Sequence, residues 1–222
     1  MSEIVVFGAG GRAGRAVTAE ARARGHLVTA VVRDPEKHAA IGTDGVRVVR
    51  GDIGDPRAVA GVSSGHAAAV HAVSPFSGPE QGFDDLDPEF FVRAADALLR
   101  GLAEARVPRL VVVGLFASLE TGDGGLVMDD PELFPPQIRP FALAHRAGLE
   151  RFRAARTPVD WLVLTPPALL EAGAPRTGRY RVGGEVVPET GPAHLSYADL
   201  AVALLDEIDA PRHHRAQVSV FD

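Results

Sequence analysis

Short apolar blocks alternate along this chain with stretches in which apolar residues recur every three or four positions. Residues 4–7, 27–32, 46–50, 67–73, 109–114 and 159–164 are rich in Val, Leu and Ile. They read as strands covered on both faces, because a strand with one wet face would alternate polar and apolar. Between them, 15–24, 56–60, 88–105 and 141–156 read as helices; Phe91, Ala95, Leu98, Leu99 and Leu102 form one apolar face of the third. A last helix spans 196–209 and a last strand 216–221. This alternation predicts an α/β fold, a Rossmann-like doubly wound parallel sheet. The composition of 169–192 shifts to Gly, Pro and short β runs, including Glu185-Val186-Val187. We therefore expect residues 1–222 to form a single domain, with 165–195 as a small C-terminal substrate-side lobe.

The junction of first strand and first helix carries the most chemistry. Ile4-Val5-Val6-Phe7 runs into Gly8-Ala9-Gly10-Gly11-Arg12-Ala13-Gly14. Glycines there serve a tight turn, close backbone approach to a diphosphate, and close packing of helix on strand. Two spacings fit, Gly8-x-Gly10-x-x-Ala13 and Gly8-x-x-Gly11-x-x-Gly14. Either one, lying between a strand and a helix, predicts a dinucleotide held on the helix amides. At the end of the second strand, Arg33-Asp34-Pro35 offers an arginine suited to the 2'-phosphate of NADP, with Arg12 as a second cation, and an acid suited to the ribose of NAD. The plain alternatives are a solvated Arg33 and an Asp34 that caps the next turn. Asp52 and Ile53 follow the third strand, where they would lie over an adenine; a turn-closing Asp52 is the other reading.

Composition excludes several classes. The chain has 222 residues, a net charge of -6 and no cysteine. An acidic balance argues against a general nucleic-acid or anionic-membrane surface. Zero cysteines remove disulfides and thiolate catalysis. Without a charged and apolar leader, the expectation is a cytoplasmic protein, monomer or homodimer, whose partner is a small molecule. Gly61-Val62-Ser63-Ser64-Gly65 matches a nucleophile-elbow pattern but precedes a strand instead of following one, so it predicts no hydrolase. Adjacent His213 and His214 point apart, and His66 and His71 flank a strand, so no metal site is expected. Asp84, Asp85 and Asp87 read as a solvated acidic loop rather than a calcium site. The loops at 74–87, with Phe76 and Phe83, and at 115–139 leave the carboxyl ends of strands, where α/β sites gather.

Taken together, Gly8 to Gly14, Val32-Arg33-Asp34-Pro35-Glu36-Lys37, Gly51-Asp52, Ala144-His145-Arg146 with Glu150, Asp160-Trp161 with Pro166-Pro167, and Ser196-Tyr197-Ala198-Asp199 span nearly the whole chain. This set resembles the atypical short-chain dehydrogenase/reductases, and within them the NADH-flavin reductase and biliverdin reductase B-like branch, related to NmrA-like NAD(P)-binding proteins. The resemblance implies NADP, or NAD, held by Gly8, Ala9, Gly10, Gly11, Arg12, Ala13, Gly14, Arg33, Asp52 and Ile53. It also implies a nicotinamide near Ala72, Val73, Gly114 and Pro166.

One departure narrows the chemistry. Short-chain reductases carry Tyr-x-x-x-Lys, whose lysine lowers the tyrosine pKa for proton transfer. The only lysine here is Lys37, and neither Tyr180 nor Tyr197 has a lysine at that spacing. Aligning Glu150 with the family's glutamate puts Ala142 and Arg146 at the pair; a shift of one puts Phe141 and His145 there. Gly114 stands where the family's strand-five serine is expected. A simple ketone reduced by hydride leaves a localised alkoxide that needs an adjacent acid, whereas a flavin, quinone or linear tetrapyrrole delocalises the charge. The expectation is therefore an NADPH-dependent reductase of a conjugated acceptor, with His145 and Arg146 as candidate catalytic residues and Arg146 also a candidate to hold the nicotinamide ribose or phosphate; the plain alternative for both is an exposed cationic helix face. The alternatives are a sensor that binds NAD(P) without turnover and an atypical isomerase.

Overall fold

The computed structural model describes residues 1–75, 86–187 and 193–222. Phe76, Phe83, Asp84 and Asp85 lie outside the described residues. The strands are β1 (Glu3–Phe7), β2 (Leu27–Val32), β3 (Val46–Arg50), β4 (Ala68–His71), β5 (Arg109–Val113), β6 (Asp160–Thr165), β7 (Leu169–Glu171), β8 (Arg181–Val182), β9 (His194–Ser196) and β10 (Ala216–Phe221). The helices are α1 (Arg12–Ala23), α2 (Pro56–Ser63), α3 (Phe90–Glu104), α4 (Arg139–Ala154) and α5 (Tyr197–Asp209). The main sheet runs β3-β2-β1-β4-β5-β6-β10-β8, parallel except for β8. This is the expected Rossmann-like doubly wound sheet.

Alternation along each strand divides the core. Ile4, Val6, Ala30, Val70, Val111, Leu162 and Leu164 face α1 and α5, while Val5, Phe7, Ala69, Leu110, Val112 and Val163 face α2, α3 and α4. Both sets are buried, which is why the strands read as apolar runs. Trp161 lies against Phe152 at 5.8 Å. Strand order reverses between β1 and β4, and the crevice at their carboxyl ends is where such sheets bind ligands.

Two departures from expectation have local causes, and the lobe segment gains detail. Helix α4 begins at Arg139, two residues early, because Pro140 takes an early helical position that needs no N–H acceptor. The stretch before it is not bare loop: short 3-10 turns at Phe116–Ser118 and Val127–Asp129 bury Ala117, Leu119, Val127 and Met128 with Ala142. Among the described residues of 165–195 the strands join different partners. β7 pairs with β9 apart from the main sheet, β8 adds antiparallel to β10, and 185–187 contributes only a bridge between Val186 and Glu120.

Candidate functional site

The turn after β1 is fixed by its own backbone. Gly8 has φ +85°, and its N–H and that of Ala9 both donate to Val31 O, at 3.1 and 3.3 Å. A Cβ on Gly8 would lie 2.6 Å from Ala72 O, and one on Gly14 would lie 2.1 Å from Gly8 O. These two glycines let β1, β4 and α1 converge. Gly11 and Arg12 remain exposed. Helix α1 has no side-chain cap, and the amides of Arg12, Ala13 and Gly14 meet no acceptor among the described residues. Uncapped amides at an exposed helix start, on a loop that excludes side chains, fit a diphosphate.

The other predicted cofactor residues divide. Arg33 is exposed and forms no hydrogen bond or ion pair with a described residue. The Arg12 guanidinium lies 5.6 Å from the centroid of the Tyr197 ring. Asp34 Oδ1 accepts from Lys37 N at 3.3 Å, and Asp52 Oδ1 from Gly54 N at 2.8 Å, so both carboxylates close turns. Ile53 is 7 % exposed, packed with Phe7, Val31 and Val59. Ala72 and Val73 continue β4 beside Gly8, and Gly114 and Pro166 follow β5 and β6. Gly114 is glycine for a visible reason: a Cβ there would lie 2.3 Å from Thr165 Oγ1, which accepts at 3.0 Å from Gln217 Nε2. That amide also donates to Ser118 Oγ at 2.9 Å, tying the loop after β5 to the sheet.

On α4, Ala142 is buried and Arg146 Nη2 pairs with Glu150 Oε1 at 3.3 Å. His145 does not lie on an exposed cationic face. Its ring centroid is 4.3 Å from that of Phe91 and 6.1 Å from that of Phe141, and burial lowers its pKa to about 4. Sequence reasoning missed its neighbour. His71, at the end of β4, accepts from Val73 N at 3.3 Å, and burial followed by the nearby His145 charge lowers it to about 3. Both histidines line a narrow pocket with Phe91, Val112, Leu149 and Val163, of about 10 Å³, room for a single water. Two imidazoles that stay neutral at pH 7 and an aromatic wall thus lie under the carboxyl end of the sheet. The only signal in the sequence was a polar residue, His71, closing an apolar strand.

Among the described residues no group of three or more His, Asp or Glu side chains is placed to hold a metal, and no helix is long and apolar enough to cross a membrane. Tyr180 Oη donates to Asp206, remote from α4, and Tyr197 starts α5.

Residues 8–211 match the sequence model of a family described as NAD(P)H-binding. The chain is similar to the uncharacterized protein YwnB of Bacillus subtilis, 32 % identical and covering 98 % of this chain and 97 % of that one. A solved Burkholderia pseudomallei protein, provisionally named an exported protein, is 34 % identical with a TM-score of 0.83 and full coverage of both chains. A solved Streptococcus pneumoniae protein, provisionally named an NADH-flavin reductase, is 26 % identical, also with a TM-score of 0.83 and full coverage of both.

Proposed function

Because this chain belongs to the NAD(P)H-binding family, we propose that it is an NADPH-dependent reductase of free flavin or a similar conjugated acceptor. The observation that carries this reading is the replacement of the acid pair on α4. Ala142 is buried, Arg146 faces Glu150, and His145 is a neutral ring on an aromatic wall. A conjugated acceptor spreads the charge that hydride brings, so its product takes a proton from water without a buried tyrosine. The provisional name of the pneumococcal relative supports the same class.

In this reading the amides of Arg12 to Gly14 hold the diphosphate, Arg33 meets the 2'-phosphate, and Ala72, Val73 and Pro166 border the nicotinamide. When bound, NADPH supplies hydride. The chain's own residues orient the two rings, and His145 and Arg146 border the acceptor. Asp52 and Ile53 act at the adenine end through the turn they shape. A small-molecule partner, a cytoplasmic setting and a monomer or homodimer complete the proposal.

Purified protein mixed with NADPH should oxidise it faster when FMN, FAD or a quinone is added, well above the protein-free rate. Tight NADPH binding with no acceptor-dependent oxidation would replace this reading with the sensor. Arg33→Ala should weaken NADPH more than NADH. An equal loss would remove Arg33 from the phosphate.

A further inference from the structure

Most histidines here have an assigned structural task. His66 Nε2 bonds Thr29 Oγ1 at 2.8 Å, and His213 and His214 meet the carboxylates of Glu207 and Asp160, each at 2.7 Å. His38 has none. Neither ring nitrogen finds a hydrogen-bond partner among the described residues, and Nδ1 is shut off from solvent. A half-buried polar ring left unpaired costs stability, so its retention calls for a reason.

Its position supplies one. After Arg33, Asp34 caps Lys37 N and His38 N donates to Pro35 O at 3.2 Å, turning the chain back toward the glycine loop. There the imidazole fills the place a side chain on residue 10 would take: a Cβ on Gly10 would lie 2.7 Å from both Cε1 and Nε2 of His38. Gly10 has an ordinary φ and does not help close the strands, so its missing side chain is explained by this ring. The turn therefore joins Arg33 and Lys37, both exposed, to the loop that carries the free amides.

We propose that His38 is a specificity-determining contact of the coenzyme site, its Nε2 donating to the 2'-phosphate of NADP(H) alongside Arg33. A phosphate on the ribose carries nearly two negative charges and three acceptor oxygens, and NAD(H) offers neither at that point. A donor placed there therefore separates the two coenzymes. The proposal rests on the coenzyme reading above.

Dissociation constants for NADPH and NADH, by titration of the full chain, test it with His38→Phe and His38→Gln, their folding checked by thermal melting. Phe keeps the ring that fills the space over Gly10 and loses the donor; Gln restores an N–H near Nε2. His38→Phe should weaken NADPH about tenfold or more, as loss of a charge-assisted bond does. NADH should change less than about twofold, and His38→Gln should recover most of the loss. Comparing 2',5'-ADP with 5'-AMP should repeat the pattern. Equal losses for both coenzymes would place His38 on the diphosphate and overturn the proposal. Unchanged or tighter binding of NADPH to His38→Phe would make the ring mere filler and overturn it as well. Wild type that binds both coenzymes equally sinks His38 alone, whereas wild type that binds neither sinks the coenzyme reading itself.

Discussion

Gly14 and Gly11 stand three residues apart in one motif, yet their backbones meet different surroundings. A methyl at position 14 collides with Gly8 O at 2.1 Å, backbone against backbone, whereas at position 11 it meets that same oxygen at 3.4 Å with φ at -78°. Gly14→Ala should therefore cost roughly 2 kcal/mol or more in urea unfolding, as overpacking does, and Gly11→Ala well under about 1 kcal/mol. The need for glycine was legible in the spacing; which glycine packs and which lines the loop was not, because that depends on α1 resting on the β1 turn. His71 and His145 add a pH dependence. Both are held below the free value of 6.5, so the unfolded chain binds more protons than the folded one as pH falls. Their stabilising effect is complete above about pH 6.5 and is lost toward about 4 for His145 and about 3 for His71. A folded-state pKa lowered by one contributes at most about 1.4 kcal/mol, and less where the ring keeps some solvent access. His71→Leu should flatten the fall in urea midpoint between about pH 7 and about pH 4.5; an unchanged slope would put the dependence on the carboxylates instead.

Among elements, α5 shows how an N-terminal cap also serves as a clasp. Ser196 Oγ accepts from Asp199 N at 2.9 Å, the cap that the sequence announces. Asp199 also accepts from Thr177 N, from Thr177 Oγ1 and from Gly178 N, the last at 2.7 Å. A second clasp lies nearby. Arg176 Nε meets Glu20 Oε2 at 2.8 Å, and Arg176 with Arg24 holds the Glu20 pKa at about 2. The segment at 176–178 is thus pinned by side chains rather than by a core of its own. This is why composition marked a change there while periodicity gave no shape. Asp199→Ala should cost on the order of 3 kcal/mol and speed amide exchange at 176–182. Ser196→Ala should cost about 1 kcal/mol and leave that exchange slow. Strands and long helices, by contrast, were legible because burial of both sheet faces writes itself as apolar runs. Gly148, where a Cβ would lie 2.7 Å from Phe91 Cβ, lets α4 lie close on α3.

Across the whole molecule the two rims of the sheet do different work. Among the described residues, the carboxyl rim keeps free amides, an unpaired Arg33 and an orphaned His38. At the opposite rim an ion network closes on itself: Arg109, 5 % exposed, meets Asp160 at 2.7 Å and Glu207 at 3.0 Å and donates to Glu207 O and His213 O. Its partners lie 51 and 98 residues away in sequence, so no local pattern announced them, and His213 and His214 read as idle because their acids arrive only on folding. A buried pair contributes little beyond an apolar substitute, but removing one member strands the other charge. Arg109→Met should therefore cost about 3–5 kcal/mol, and replacing Glu207 by Leu as well should return part of it. Because this rim lies at the far end of the parallel strands from Gly8 and Gly114, the NADPH dissociation constant of folded Arg109→Met should match wild type. Should coenzyme affinity fall together with the melting temperature, the two rims are coupled through the strands, and the division of stability from binding would not hold for this fold.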